Sequence, residues 1–146
     1  MRKIQILYLF FTVLLLGSTC NKENEECYKN ITITNISDKA IYVTCDTHFP
    51  DTMYFGHASN PASDELKNRI SAKSSSDRPL QNRDCWEAVF SHGVQIPSDT
   101  LMIFIFDAEV LETEEWSEVV HSYKVLKRYD LSLEDLKRMN WSITYP

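Results

Sequence analysis

Glycine and proline are scarce in this sequence, with 3 and 5 residues of 146. Such low numbers exclude a collagen-like repeat and a flexible Pro/Gly-rich linker, and few backbone positions can approach a phosphate closely. The sequence has no G-x-S-x-G, H-E-x-x-H, P-loop or G-x-G-x-x-G segment, so no common catalytic or nucleotide-binding motif selects an activity. Hydrophobic residues make up 43% and charged residues 25%, which is typical of one folded domain.

Positive charge is in the minority. The 15 Lys and Arg face 21 Asp and Glu, which gives a net charge of −6. Without residues 1–19, which contain Arg2 and Lys3 and no acid, 13 basic residues face 21 acids and the net charge is −8. An anionic surface disfavours nucleic acid as a partner.

The sequence lacks an apolar run of eighteen residues, but a shorter one follows Arg2 and Lys3. Ile4–Leu16 is mostly apolar and uncharged, and its thirteen residues would span about 20 Å as a helix, against about 30 Å of bilayer hydrocarbon. This pattern predicts an export signal over residues 1–19 rather than a membrane span.

Cys20 follows the small residues Gly17-Ser18-Thr19. This arrangement resembles a bacterial lipoprotein signal, which implies lipid attachment to the Cys20 thiol and anchoring in the outer membrane. Ordinary cleavage that releases a secreted or periplasmic protein is the alternative. Residues 20–28 are predicted to be a solvated tether, and its acidic stretch resembles that of Bacteroidota-type lipoproteins, which implies display on the cell surface.

Short elements are predicted along the rest of the chain. Alternating apolar residues predict an N-terminal hairpin from residues 30–34 and 41–46. A short edge strand is predicted over 69–73, between two irregular polar segments. Helical turns are expected over 63–66 and 85–90, and a polar loop over 74–79.

The last third of the chain carries clearer signals. Leu101–Phe106 is apolar at six consecutive positions, which predicts a central strand covered on both faces. A helix with Thr113 as its N-cap is expected as cover, followed by a strand over 123–130. Ser132 and Asp135 have the spacing of a capping box, and a final strand is predicted over 141–145.

These elements predict a single domain over residues 29–146. The expected class is mainly β: an antiparallel β-sandwich of the immunoglobulin or transthyretin-like kind, with short helical insertions. The alternative is an α+β fold with helices on one face of an antiparallel sheet.

The C-terminal stretches 123–129 and 140–146, which end in Tyr145-Pro146, resemble a family of uncharacterised Bacteroidota exported lipoproteins. Members share such an export signal and an early two-strand segment. The resemblance implies a location in the cell envelope and supplies no activity.

Export permits disulfides. Cys45 alternates with inward apolar residues and Cys85 adjoins Trp86, so a Cys45–Cys85 disulfide is expected, with Cys27 on the tether free or paired elsewhere. A zinc site from Cys45, His48, Cys85 and His92 is the weaker alternative, because the spacing matches no compact zinc motif. No metal or cofactor is predicted.

Six acids crowd residues 107–118, and the histidines 48, 57, 92 and 121 are scattered. The acids could bind calcium or act in pairs on a glycan, but the pattern is typical of a strand end and a solvated helix face. No spacing selects a catalytic set, so no catalytic residue is predicted.

Tyr54 and Phe55 lie on an irregular stretch away from any core face, which suggests that they stack against a sugar ring. Two function classes therefore remain. The favoured one is a non-enzymatic, lipid-anchored module that binds a glycan or an envelope protein. The other is a small secreted hydrolase acting on envelope or host glycans.

Overall fold

Seven strands and five short α-helices are found among residues 27–50, 59–91 and 96–146, the part of the chain that the computed structural model describes. The strands are β1 (Asn30–Asn35), β2 (Ile41–Asp46), β3 (Arg69–Ile70), β4 (Ser74–Gln81), β5 (Leu101–Asp107), β6 (Lys127–Leu131) and β7 (Ser142–Tyr145). The α-helices are α1 (Glu65–Asn68), α2 (Trp86–Ser91), α3 (Ala108–Thr113), α4 (Trp116–His121) and α5 (Leu133–Arg138), and a 3-10 helix spans Pro61–Asp64.

The strands form two sheets. The four-stranded sheet has the order β3-β2-β5-β6 and is antiparallel throughout. The three-stranded sheet has the order β4-β1-β7, in which β1 runs antiparallel to β4 and parallel to β7. The protein is therefore a mixed α and β structure built on two sheets rich in antiparallel pairs. No helix in the described ranges is long and apolar enough to cross a membrane.

The apolar strand β5 is central, as predicted, and both of its faces are covered. Leu101, Ile103 and Ile105 lie in a core cluster that also takes residues from the three-stranded sheet, such as Ile33. Their neighbours on the opposite face pack against helices α3 and α4. Covering both faces is what six consecutive apolar side chains require, because each one left in water forfeits about 1.5–3 kcal/mol.

The predicted N-terminal hairpin is wrong, because β1 and β2 belong to different sheets. Asn35, which is fully buried, sets this crossover. Its amide group donates to the carbonyl oxygens of Lys39 at 2.8 Å and Ser71 at 3.0 Å, and its Oδ1 accepts from the Ser37 backbone N–H at 3.0 Å. These bonds hold a turn that carries the chain from one sheet to the other.

The polar loop that the sequence predicts over residues 74–79 is wrong, because these residues form most of strand β4. The strand pairs with β1, and the Ser75 hydroxyl donates to Thr34 Oγ1 at 3.0 Å. Apolar alternation is missing because this is an edge strand whose first half carries serine side chains. Only the pairing with β1 identifies it as a strand.

The capping box that begins α5 is present as predicted. The Ser132 hydroxyl accepts from the Asp135 backbone N–H, and the Asp135 carboxylate accepts from the Ser132 N–H at 3.0 Å. The prediction for Thr113 is wrong: it ends α3, and its hydroxyl donates to the Glu109 carbonyl at 2.7 Å. The following helix, α4, has Glu115 at its N-cap and no side-chain cap there.

The structure corrects the expected disulfide. Cys85 is bonded to Cys27, and Cys45 remains a thiol. Cys45 is on β2 and packs against the core, whereas Cys27 and Cys85 have their Cα atoms 5.0 Å apart. That separation lies within the range that a disulfide can bridge. Sequence alternation indicated that Cys45 faces inward but could not show which thiol lies beside Cys85.

The segment Cys27–Lys29, assigned in part to the tether, is held to the body of the domain. The Tyr28 ring stacks on Trp141 with centroids 4.9 Å apart, and the Tyr28 carbonyl accepts from the Trp86 N–H at 2.8 Å. The Tyr28 N–H donates to the Glu87 carboxylate at 3.1 Å. With the Cys27–Cys85 disulfide, these contacts form an N-terminal clamp at the start of β1.

We expect the double variant Cys27→Ser/Cys85→Ser to lose about 4 kcal/mol of unfolding free energy, because the disulfide closes a loop of 58 residues. Urea unfolding of the oxidised protein measures the loss. The matched control, Cys45→Ala, removes no cross-link and should cost about 2 kcal/mol or less, as a partly buried thiol. A non-reduced digest in which Cys85 is joined to Cys45 would contradict the assignment.

Burial raises the pKa of the Cys45 thiol to about 11, and the charge of the neighbouring Asp46 adds to the effect. The folded protein therefore holds about a hundredfold less thiolate at neutral pH than an ordinary cysteine does. This thiol is therefore a poor nucleophile in the folded protein.

Cys45 should therefore react with an aromatic disulfide reagent at pH 7.5 about a hundredfold more slowly in the folded protein than in the unfolded protein, as followed by absorbance with and without urea. Its contribution to stability is complete below pH 9, the ordinary pKa of a cysteine thiol, and is lost as the pH rises towards 11, because the unfolded thiol ionises first. The difference between wild type and Cys45→Ala over this range isolates the effect. Equal reaction rates for folded and unfolded protein would contradict it.

Candidate functional site

A cleft of about 230 Å³ lies where the edge of the four-stranded sheet meets helix α3. We call it the charged cleft, because basic and acidic side chains share its walls. Its lining residues are Lys39, Ala40, Arg69, Asp107, Ala108, Glu109, Glu112 and Thr113. Two of these residues are alanines, and the Ala108 N–H donates to the Ala40 carbonyl at 3.1 Å.

Asp107 organises one side of the cleft. It ends β5 and begins α3, where its Oδ1 accepts from the Glu109 N–H at 2.9 Å as an N-cap. Its Oδ2 accepts from the Lys39 ammonium at 3.0 Å. This hydrogen bond and the negative charge of Asp107 raise the pKa of Lys39, so the ammonium stays charged across the physiological range.

Glu112 organises the other side. Its Oε1 accepts from Arg69 Nε at 3.0 Å and from the Tyr42 hydroxyl at 3.4 Å. The hydrogen bond to Glu112 is the largest effect on Arg69 and raises its pKa. Burial, followed by the charge of Glu112, raises the pKa of Tyr42. The tyrosine therefore remains a neutral donor to the carboxylate.

The charged cleft lies at the end of the molecule remote from the N-terminal clamp. Strand β1 begins beside the clamp and ends at Asn35, and the turn after it leads to Ile41, which pairs with Asp107. The six residues of β1 span about 20 Å at about 3.3 Å each. The domain therefore presents the cleft at the opposite end from the point where residues 1–26 are attached.

The acids of residues 107–118, predicted to lie at a strand end and on one solvated helix face, are divided between two helices and their ends. Asp107, Glu109 and Glu112 come together in the charged cleft, whereas Glu114, just after α3, pairs with Lys124 at 2.5 Å. The basic partners Lys39 and Arg69 were not identified from the sequence. Lys39 and Arg69 lie in different segments of the chain. The pairing of β2 with β5 and with β3 brings both of them to the same end of the sheet as Asp107.

A second polar group lies on the face of the four-stranded sheet that carries Phe104. The Arg128 guanidinium lies over the rings of Phe49 and Phe104, at 5.7 and 5.8 Å from their centroids, and Nε donates to Asp130 at 2.6 Å. Burial opposes the charge of Arg128, but hydrogen bonds to Asp130 and Tyr123 outweigh it and raise the pKa. Arg128 thus covers aromatic surface as a satisfied cation, which is a structural role.

The other sequence-predicted residues that the structure describes do not line the charged cleft. His48 Nδ1 lies 2.8 Å from Asp46 Oδ1 at the end of β2. Cys85 is used in the disulfide and is therefore not available to a zinc site with Cys45, His48 and His92. Within the described ranges, no three His, Cys, Asp or Glu side chains are placed to hold a metal ion. Cys20, Tyr54, Phe55, His57 and His92 lie outside the described residues.

Comparisons with protein-family models, with curated proteins and with solved structures found no match for this chain.

Asp107→Ala should cost about 1–2 kcal/mol of unfolding free energy, because it removes a helix cap together with an ion pair. Asp107→Asn retains the cap and should lose less. The control Asp38→Ala breaks a pair with Lys73 in which Asp38 is 92% exposed, so it should cost less than about 0.5 kcal/mol. Urea unfolding compares the three variants, and equal costs for Asp107→Ala and Asp38→Ala would contradict the organising role of Asp107.

Proposed function

We propose that the chain is an exported cell-envelope lipoprotein, anchored in the outer membrane through Cys20, whose domain is a non-enzymatic binding module displayed on the cell surface. Three features support this proposal: the export-type N-terminus, the disulfide of the N-terminal clamp and the position of the charged cleft. The resemblance of the C-terminal stretches to Bacteroidota lipoproteins agrees with it.

The Cys27–Cys85 disulfide is the observation that carries the proposed location. Disulfides persist in oxidising compartments such as the periplasm and the cell surface, and are rare in the reducing cytosol. The bond lies seven residues after Cys20, where the tether would join the folded domain. A covalent bond at this point keeps the first strand in place when the chain before it is pulled or moved.

We further propose that the two sheets form a β-sandwich. One core cluster takes residues from both sheets, including Ile33 and Ile143 from one and Val43 and Ile103 from the other. A hydrogen bond also joins the sheets: the Tyr129 hydroxyl of β6 donates to the Thr144 carbonyl of β7 at 3.1 Å. The parallel β1–β7 pair is a departure from the fully antiparallel arrangement that the sequence predicts.

Binding is favoured over hydrolysis by the way the carboxylates of the charged cleft are used. Glycoside hydrolases need two carboxyl groups directed at one bond, one as an acid and one as a base or nucleophile. Here Asp107 is held by Lys39 and by the α3 backbone, and Glu112 is held by Arg69 and Tyr42. These two carboxylates are therefore not directed together at one bond, and the exposed charges of Lys39 and Glu109 remain for a ligand.

Metabolic labelling with palmitate in a bacterial host tests the anchor. The wild-type chain should take up label, sediment with membranes and begin at Cys20, and Cys20→Ala should lose the label, because no other residue supplies the thiol at the cleavage point. Cys45→Ala is the matched control and should label as the wild type does. Undiminished label in Cys20→Ala, or a mature chain that begins at residue 20 without lipid, would contradict the proposal.

A further inference from the structure

We propose that the charged cleft binds a free amino acid as a zwitterion, with the ligand carboxylate on Lys39 and the ligand ammonium on Glu109. This rests on the proposed binding role and takes it further by naming its ligand class. Two exposed side chains of opposite charge in the lining of the cleft, Lys39 and Glu109, lie close together without forming a hydrogen bond.

Lys39 and Glu109 form this open pair. The Lys39 ammonium lies 3.8 Å from Glu109 Oε2, beyond the roughly 2.7–3.2 Å of a hydrogen bond. The Lys39 side chain is 66% exposed and that of Glu109 is 80% exposed. An ammonium has three donors, and Asp107 takes one of those of Lys39 at 3.0 Å. Lys39 therefore has donors to offer a carboxylate, and Glu109 has acceptors to offer an ammonium.

A zwitterion satisfies both groups at once. It converts one long ion pair into two charge-assisted hydrogen bonds, which are the stronger kind. A ligand with a single charge would bind one partner and compete with the other for it. Because both Lys39 and Glu109 line the cleft, we expect the ligand to need both an ammonium and a carboxylate group.

The size and lining of the cleft limit the ligand further. Its volume of about 230 Å³ lies below the roughly 300–1,000 Å³ of common ligand pockets. A cleft of this size accommodates one small polar molecule, such as a single amino acid. Beyond the open pair the walls carry Arg69, Glu112 and Thr113, so the ligand side chain meets polar groups.

The test is titration of the oxidised domain with single free L-amino acids, followed by 15N NMR. At least one amino acid should shift the backbone amides of Ala40 and Glu109 and saturate. For that amino acid, its N-acetyl derivative lacks the ammonium and its amide lacks the carboxylate. Each derivative should bind at least about tenfold more weakly, because each lacks one charge-assisted hydrogen bond.

Variants distinguish binding at Lys39 and Glu109 from non-specific attraction to the surface charge of the protein. Lys39→Met and Glu109→Gln should each weaken binding about tenfold or more. The matched controls Lys73→Met and Glu115→Gln make the same chemical changes outside the cleft and should bind as the wild type does. All four positions are largely exposed, and the spectrum of each variant reports whether it is folded.

The proposal is overturned if no amino acid shifts these amides at about 20 mM, or if the amide or the N-acetyl derivative binds as tightly as the parent. Equal weakening by the control variants would also overturn it, because it would indicate attraction to overall charge. These outcomes do not depend on palmitate labelling, so failure of the cleft proposal and failure of the anchor proposal are distinguishable.

Discussion

The burial of β5 on both faces is the constraint on which the rest of the structure depends. One face requires a second sheet, and the three-stranded sheet supplies it through β1 and β7. The other face requires helices, and α3 and α4 supply them directly after the strand. Because α3 begins at the residue after β5, its acidic side chains are placed at the end of the sheet rather than over its centre. The charged cleft follows from that placement.

The ion pairs of the charged cleft contribute little to stability, since pairs of exposed side chains contribute about 0–1 kcal/mol each. The fold does not depend on them, because the core clusters lie on the two faces of the four-stranded sheet. Small contributions of this kind allow charges to be rearranged around a ligand without loss of the fold. This agrees with the proposed binding role.

The N-terminal clamp and the charged cleft lie at opposite ends of β1, and this separation links the structure to the proposed role. A protein that is anchored through its N-terminus must resist fraying of the first strand, and the disulfide and the Tyr28–Trp141 stack provide this resistance. The thiol of Cys45 belongs to neither feature and is kept protonated by burial. It therefore does not compete for the disulfide partner under ordinary conditions.

Sequence alone determined the elements whose signal is local. The buried strand Leu101–Phe106 and the capping box of Ser132 and Asp135 were predicted because six apolar side chains and a four-residue hydrogen-bond pattern need no distant partner. Only the tertiary structure decided the sheet to which β1 belongs, that β4 is a strand, that Cys27 rather than Cys45 bonds Cys85, and that Lys39 and Arg69 meet the acids of α3. Each of these features depends on contacts between residues that are far apart in the chain. Burial and strand register set those contacts, and neither can be predicted from the spacing of neighbouring residues.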